Sequence, residues 1–273
     1  MKLNRVYEEV EDILKFITTS GVRIKMMMSL MEKPKTSSQL RDEFGIGTST
    51  IIHAARDLER ENILIEKSDG YHLTNIGRIF STKLLDFVKL LAVTRKNIDF
   101  WLSHDIEGIP YEFLQRLGEL QDLKLIKSSA TNILQTLSFY LKIVSKTKDL
   151  KGVSPIFVTD YAKIIKKILK RGAKVELVIT KEILQPVIES YRKGIDKEVL
   201  EKVRKGNLKV WMTDETVKIA MTVTESFVSI GLFNLDGTYD FTQDLVSYDK
   251  EAIKWGRELF EYYKSRAREV PLD

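Results

Sequence analysis

Residues 35–78 read KTSSQLRDEFGIGTSTIIHAARDLERENILIEKSDGYHLTNIGR, and this stretch decides how the first third of the chain folds. Thr36 and Gln39 have the spacing of a capping box, which predicts a short helix over 37–44. Gly45-Ile46-Gly47 makes a tight turn, and a second helix starts near Thr48 and runs to about Glu61. Ile51, Ala55 and Leu58 recur at i, i+4 and i+7 as its inner stripe, which leaves Thr50, Ile52, His53 and Arg56 pointing outward. Beyond it, Ile63–Lys67 and Tyr71–Leu73 flank Ser68-Asp69-Gly70, and Asp-Gly between apolar runs signals a hairpin.

Helix, glycine turn, helix, hairpin is the order of a winged helix-turn-helix. In that motif the helix from Thr48 enters the major groove, with residues near its N-terminus at base edges. Thr48, Ser49, Thr50, Ile52, His53 and Arg56 are the expected contacts. Arg56 has the fork to hold a guanine edge, and Ile52 suits a thymine methyl. Lys35, Thr36 and Ser37, where the preceding helix begins, are expected to hold phosphate, helped by that helix's positive end. Lys67 and Tyr71 on the hairpin are expected at the flanking backbone or minor groove. Each has a purely structural alternative. Ser49 and Thr50 can cap their helix, Arg56 can pair with Glu59 and His53 with Asp57, and Tyr71 can pack.

Upstream, Val6, Val10, Ile13, Leu14 and Ile17 predict an opening helix, and Ser20-Gly21 separates it from a second one through Met26-Met27-Met28. The methionines suit a packed helix better than an adaptable binding surface. Residues 1–80 carry as many acids as bases, so the net charge of +5 lies entirely in residues 81–273, concentrated within Lys151–Lys209. A neutral DNA reader implies modest affinity per copy, which a dimer on two half-sites remedies.

The chain of 273 residues is 43% apolar and 30% charged, an ordinary globular composition. Its most apolar stretch, Leu84–Val93, contains Asp86 and Lys89 and is too short for a membrane span. The first residues have no signal-peptide core, so a cytoplasmic protein is expected. Zero cysteines exclude disulfides, thiol catalysis and cysteine-ligated metal, and three histidines (His53, His72, His104) are not spaced as ligands on one helix face. No metal and no cofactor are expected.

From Asn75 to about Ser103 the pattern stays helical, with Ile79, Leu84, Phe87, Leu91, Ile98 and Trp101-Leu102 as its apolar residues. Residues 81–107 are expected to link the domains or to dimerise. Residues 108–273 then read as an α/β domain. Strands are predicted at Leu120–Ile126, Val175–Ile179, Leu208–Met212, Ile219–Val223 and Phe227–Phe233. Helices are predicted at Asn132–Val144, Tyr161–Arg171, Lys181–Tyr191, Asp196–Lys205 and Asp249–Arg268. The expected fold class is therefore α+β in two domains. In the helix from Tyr161, Lys163, Lys166, Lys167, Lys170 and Arg171 surround an isoleucine-rich face, which most simply makes a solvated outer surface. The sharper reading is an effector site built from Asp160, Tyr161, Lys166, Lys167 and Lys170 near a sheet edge.

The stretch from Thr36 to Leu64, with GYHLTNIGR after it, resembles the winged helices of ArsR-like transcription regulators. HDIEGIP (104–110) and WGRELFEYY (255–263) extend the likeness over almost the whole chain. They are similar to an archaeal regulator family typified by methanogenesis and filament-growth regulators. That resemblance implies a transcription regulator on double-stranded promoter DNA, in homodimeric form, whose C-terminal domain senses an unknown small-molecule effector or dimerises. It also implies an outline akin to the phospholipase D fold, but the His-x-Lys pair of that chemistry is missing, since no histidine follows His104. No Walker loop or G-x-S-x-G elbow occurs either, so no enzyme is expected. The alternative is a winged-helix adaptor that binds proteins instead of DNA.

Overall fold

The computed structural model describes residues 3–193 and 196–272. The chain divides into two compact units, residues 1–88 and 89–273. In the first, α1 (Leu3–Thr18) is followed by α2 (Gly21–Ser29), which Ser20 caps by accepting from the Arg23 amide. The capping box of α3 (Ser37–Phe44) forms: the Thr36 hydroxyl accepts from the Gln39 amide, and the Gln39 side chain accepts from the Thr36 amide at 2.8 Å. Gly45 ends the helix in the left-handed region, and α4 (Thr48–Arg60) begins after Gly47.

Antiparallel β1 (Leu64–Lys67) and β2 (Gly70–Leu73) pair in the register Leu64 to Leu73 and Lys67 to Gly70. Gly70 has φ +124°, and a Cβ there would stand 2.6 Å from the Lys35 carbonyl, so only glycine lets the hairpin lie against that strand of backbone. The Tyr71 amide donates to the Lys35 carbonyl at 2.9 Å. Met26, Met27, Leu40, Ile51, Ala55, Leu58 and Ile63 are fully buried together. The methionines therefore fill a core, as the sequence suggested.

Helix α5 (Asn75–Lys96) runs past the boundary at residue 88. The residues expected to link or dimerise, 81–107, divide between the two units. Val93 and Phe100 are buried in the second unit's core, because the apolar stripe that continues past residue 88 gains more by burial than by standing in water. That unit continues with α6 (Ile98–Ser103), β3 (His104–Asp105), α7 (Tyr111–Leu114), β4 (Lys124–Lys127), α8 (Gln135–Val144) and β5 (Asp149–Ser154). There follow α9 (Thr159–Lys170), β6 (Lys174–Thr180), α10 (Lys181–Lys193), α11 (Lys197–Arg204), β7 (Leu208–Thr213), β8 (Ile219–Thr224) and β9 (Val228–Asn234). Strand β10 (Gln243–Ser247), α12 (Lys250–Lys264) and β11 (Arg268–Glu269) close the unit.

A mixed nine-stranded sheet has the order β11-β7-β6-β5-β8-β9-β10-β4, with β3 also on β9. Strands β5, β6 and β7 are parallel, joined by helical crossovers, and the remaining pairs are antiparallel. Alternating residues send Val153, Val178 and Trp211 into one core with Trp255, Leu259 and Phe260 of α12. Leu150, Val175 and Val210 point the other way, into a second core with Ile164, Ile168 and Leu169 of α9.

Several parts of the sequence reading are corrected. Leu120 and Leu123 are buried, yet they lie in irregular chain after a 3-10 turn, and β4 begins only at Lys124. The predicted helix from Asn132 begins at Gln135. Four strands were not anticipated: β5, β10 and the two-residue β3 and β11, the last of which takes Arg268 out of the predicted closing helix, which ends at Lys264. DLKGVS of β5 contains a lysine, a glycine and a serine where a buried strand was sought in apolar runs, and QDLVS of β10 is short and polar at its start.

Candidate nucleic-acid interface and ligand cavity

Helix α4 turns Ile51, Ala54, Ala55 and Leu58 inward and leaves Ser49, Thr50, His53 and Arg56 exposed; Thr48 and Ile52 are half-buried. The pairs Arg56 to Glu59 and His53 to Asp57 do not form. Asp57 is instead bonded to Arg23 of α2 at 2.8 Å and to Arg60, and these guanidinium groups, Arg23 foremost, hold its carboxyl below the usual range. The Glu59 carboxylate accepts from the Glu66 amide at 2.8 Å. Among the described residues His53 and Arg56 make no ion pair, so both heads stay available along an open groove that also touches Arg60.

The structure buries two of the expected DNA contacts. Lys35 is 6% exposed, and its ammonium donates to Ser29 Oγ at 2.8 Å and to Glu43 at 2.9 Å, with Glu32 at 3.5 Å. The hydrogen bond to Glu43 raises its pKa. A cation already satisfied in this way has no free N–H for phosphate. Tyr71 is 5% exposed and packs in the core, where burial raises the pKa of its phenol. Ser37 is half-buried, while Thr36 and Lys67 are exposed, although Thr36 is committed to its cap.

In the second unit a cavity of about 140 Å³ lies between α9 and the sheet. Leu150, Ile165, Leu169, Leu177, Ile179 and Val187 give it aliphatic walls. Polar groups gather at one end: Tyr140 of α8, Tyr161 of α9, Ser229 of β9, Tyr239 from the chain before β10, and Asp244 of β10. The Tyr140 hydroxyl and Thr222 Oγ1 are 2.8 Å apart. The Ser229 hydroxyl donates to Asp244, yet burial pushes that carboxyl up to about 7. Tyr239 reaches this place because Gly231 has no side chain; a Cβ there would stand 2.1 Å from its hydroxyl oxygen. The same four side chains, Tyr140, Tyr161, Tyr239 and Asp244, also wall an outer compartment that includes Asp240 and Phe241.

Of the expected effector residues the structure brings Tyr161 and Lys166 to the cavity, with the Lys166 ammonium held on the Ser190 carbonyl. Asp160 pairs with Lys163 at 2.8 Å, Lys167 faces solvent and Lys170 pairs with Asp196; these three lie outside it. They fall on the outer side of α9, as the simpler reading of that helix had it. Tyr140, Ser229, Tyr239 and Asp244 were missed. An acid inside a strand that alternates with Leu245 and Ser247 was the available signal, and it required seeing β10. His104, the last histidine, is 3.1 Å from Asp240, stacks on Phe100 and has its other ring nitrogen 2.7 Å from the Phe100 carbonyl. No cluster of metal-binding side chains occurs among the described residues, and no described helix is long and apolar enough to cross a membrane.

These features define a mixed α/β protein in two units, one presenting an unpaired polar helix face and the other an apolar cavity with an acidic end. Residues 11–92 match the N-terminal domain, and residues 133–266 the middle domain, of the methanogenesis regulatory protein FilR1. The methanogenesis regulatory protein FilR1 of Methanothrix harundinacea (strain 6Ac) is 30% identical over 260 residues, 94% of this chain. The chain belongs to this family of archaeal regulatory proteins. It spans 58% of that relative's length. Two solved structures share less. TrmBL2, an archaeal chromatin protein described with a novel mode of DNA binding, is 13% identical at a TM-score of 0.43, over 98% of this chain and all of its own. Phosphatidylserine synthase of Haemophilus influenzae is 12% identical at 0.40, over 54% of this chain and 39% of its own. At those scores neither carries an argument about this chain.

Proposed function

We propose that the chain is a cytoplasmic transcription regulator that binds double-stranded promoter DNA sequence-specifically as a homodimer. In this reading the first unit is a winged helix-turn-helix of the ArsR-like kind, with α4 as the recognition helix. The second unit is a non-catalytic sensor domain, and its phospholipase D-like outline rests on resemblance alone. The observation that carries the reading is the row Ser49, Thr50, His53 and Arg56, exposed on one face of α4 with both basic side chains free of carboxylates. In this reading Arg56 donates twice to a guanine edge, Ser37 and Lys67 meet the backbone, and the Thr36 hydroxyl, which accepts in its cap, donates to it. Exposed apolar side chains on α1 (Leu3, Tyr7, Val10, Leu14) and α5 (Ile76, Ile79, Phe87) offer surface to a second copy.

The test is fluorescence anisotropy of the full chain on labelled fragments of its own upstream region and on scrambled DNA, at several salt concentrations. A double variant, His53→Ala with Arg56→Ala, is run beside it. Preference for one fragment, lost in the variant, supports operator reading by α4. A steep fall of affinity with salt is expected for phosphate neutralisation. Equal weak binding to both DNAs, unchanged by the variant, would favour the protein-adaptor reading. Sedimentation of the chain alone tests the dimer.

A further inference from the structure

The cavity beneath α9 holds chemistry that DNA binding does not use. Asp244 is 8% exposed, and its carboxyl accepts from the Ser229 hydroxyl and the Leu245 amide. A buried carboxyl with two neutral donors and no cationic partner costs free energy when ionised unless a further charge meets it. Around it stand three tyrosines. The Tyr140 and Tyr161 rings lie 4.8 Å apart, centroid to centroid, and Tyr239 closes the third side against Gly231. The Tyr140 hydroxyl is engaged by Thr222, whereas those of Tyr161 and Tyr239 make no hydrogen bond among the described residues.

The charge around this point is one-sided. The outer compartment is walled by Asp240 and Asp244 and by no lysine, arginine or histidine. The deep compartment has Lys166 as its one charged base, already held on the Ser190 carbonyl. An anionic ligand would meet two acids there. A cation would meet a carboxylate together with the electron-rich rings and hydroxyl oxygens of the lining tyrosines. Beyond the tyrosines the deep compartment is aliphatic and about 140 Å³, close to the size of an apolar cavity that accepts benzene.

We propose that this cavity binds a small organic ammonium ion, with its charged head between Asp244 and the three tyrosine rings and its apolar body, roughly six to ten non-hydrogen atoms, in the deep compartment. Asp244 accepts the ammonium N–H, the rings stabilise the remaining charge, and the aliphatic walls select against larger polar bodies. The proposal rests on reading the second unit as effector-binding and does not depend on DNA recognition.

Because burial pushes Asp244 up to about 7, ligand binding tightens as pH rises through that value and the carboxyl ionises. The other titratable groups around it do not reverse this. Burial raises Tyr140, Tyr161 and Tyr239 further, away from neutral pH. Burial also acts to raise Asp240, but hydrogen bonds from Thr242, Gln243 and His104 outweigh it and hold the carboxyl ionised. Burial lowers Lys166, whose ammonium already has its acceptor.

Isothermal titration calorimetry of the full chain tests this with benzylamine, benzyl alcohol and benzoate at pH 8, and benzylamine again at pH 6. Benzylamine is expected to bind at least about tenfold more tightly than benzyl alcohol, with no heat from benzoate. Its affinity is expected to fall severalfold at pH 6, and by about tenfold or more in Asp244→Asn. Benzoate or benzyl alcohol binding as well as benzylamine, or no heat from any of the three, would overturn the proposal. The three probes on the unaltered chain decide it even if the variant does not fold. DNA binding is measured on the same preparation, so a chain that binds DNA and ignores benzylamine sinks this proposal alone.

Discussion

Arg23 on α2 and Asp57 on α4 are joined through Nη2 and Oδ2 at 2.8 Å, across 34 residues of sequence. The bond fixes the recognition-helix candidate to its neighbour and removes the one carboxylate that His53 would otherwise meet a turn away. Arg23 also lies over the Phe16 ring at 4.0 Å and donates to the Phe16 carbonyl, so the guanidinium ties three helices together.

Asp57→Asn is expected to lower the stability of the chain by about 1–2 kcal/mol, the range of a charge-assisted bond that solvent partly reaches. Urea unfolding measures it. The pH dependence follows from the lowered carboxyl: its contribution is present above the ordinary carboxylate pKa of about 4 and is lost as pH falls through the lower folded value. A variant whose stability curve parallels that of the unaltered chain below pH 5 would remove this role.

Lys35→Met keeps the length of the side chain and removes the charge that meets Glu43. Glu43 is partly exposed and re-solvates, so the expected loss is about 1 kcal/mol, seen as a lower denaturation midpoint. DNA affinity and its salt slope are expected to stay unchanged, because the buried ammonium reaches no phosphate. A shallower salt slope in this variant would restore Lys35 to the DNA surface.

Gly231→Ala places a methyl against the Tyr239 hydroxyl and drives that ring out of the cavity wall. A cost of about 1–3 kcal/mol is expected from overpacking. Adding Tyr239→Phe removes the clashing oxygen and should recover most of it, a coupling that a double-mutant cycle reads directly. Additive effects would show that the ring does not stand where the glycine admits it.

Asp244→Asn reports the buried acid through stability alone. A carboxyl whose folded pKa is raised to about 7 binds its proton more tightly in the folded state than in the unfolded one. Its contribution is full below the unfolded value near 4 and is lost as pH rises to 7. The variant is therefore expected to match the unaltered chain near pH 4 and to exceed it at pH 8, by on the order of 4 kcal/mol. Equal stability at both pH values would place the carboxyl in water.

The sequence alone determined the local elements of the first unit, because capping, the glycine turn, the inner stripe of α4 and the Asp-Gly hairpin are all decided within a few residues. Family membership was also legible, in HDIEGIP and WGRELFEYY. Most strands and helices of the second unit followed from period, but β5 and β10 did not, since a strand held by its neighbours tolerates polar residues that a run of apolar ones would exclude. Only the tertiary structure decided which charges were free. Lys35 and Asp57 look like surface residues in the sequence, and their partners Glu43 and Arg23 sit on α3 and α2. The cavity was hidden for the same reason: Tyr140, Tyr161, Tyr239 and Asp244 are spread over 105 residues and meet only when the sheet brings α8, α9 and β10 together. Periodicity governs which face a residue occupies, whereas long-range packing governs what that face meets.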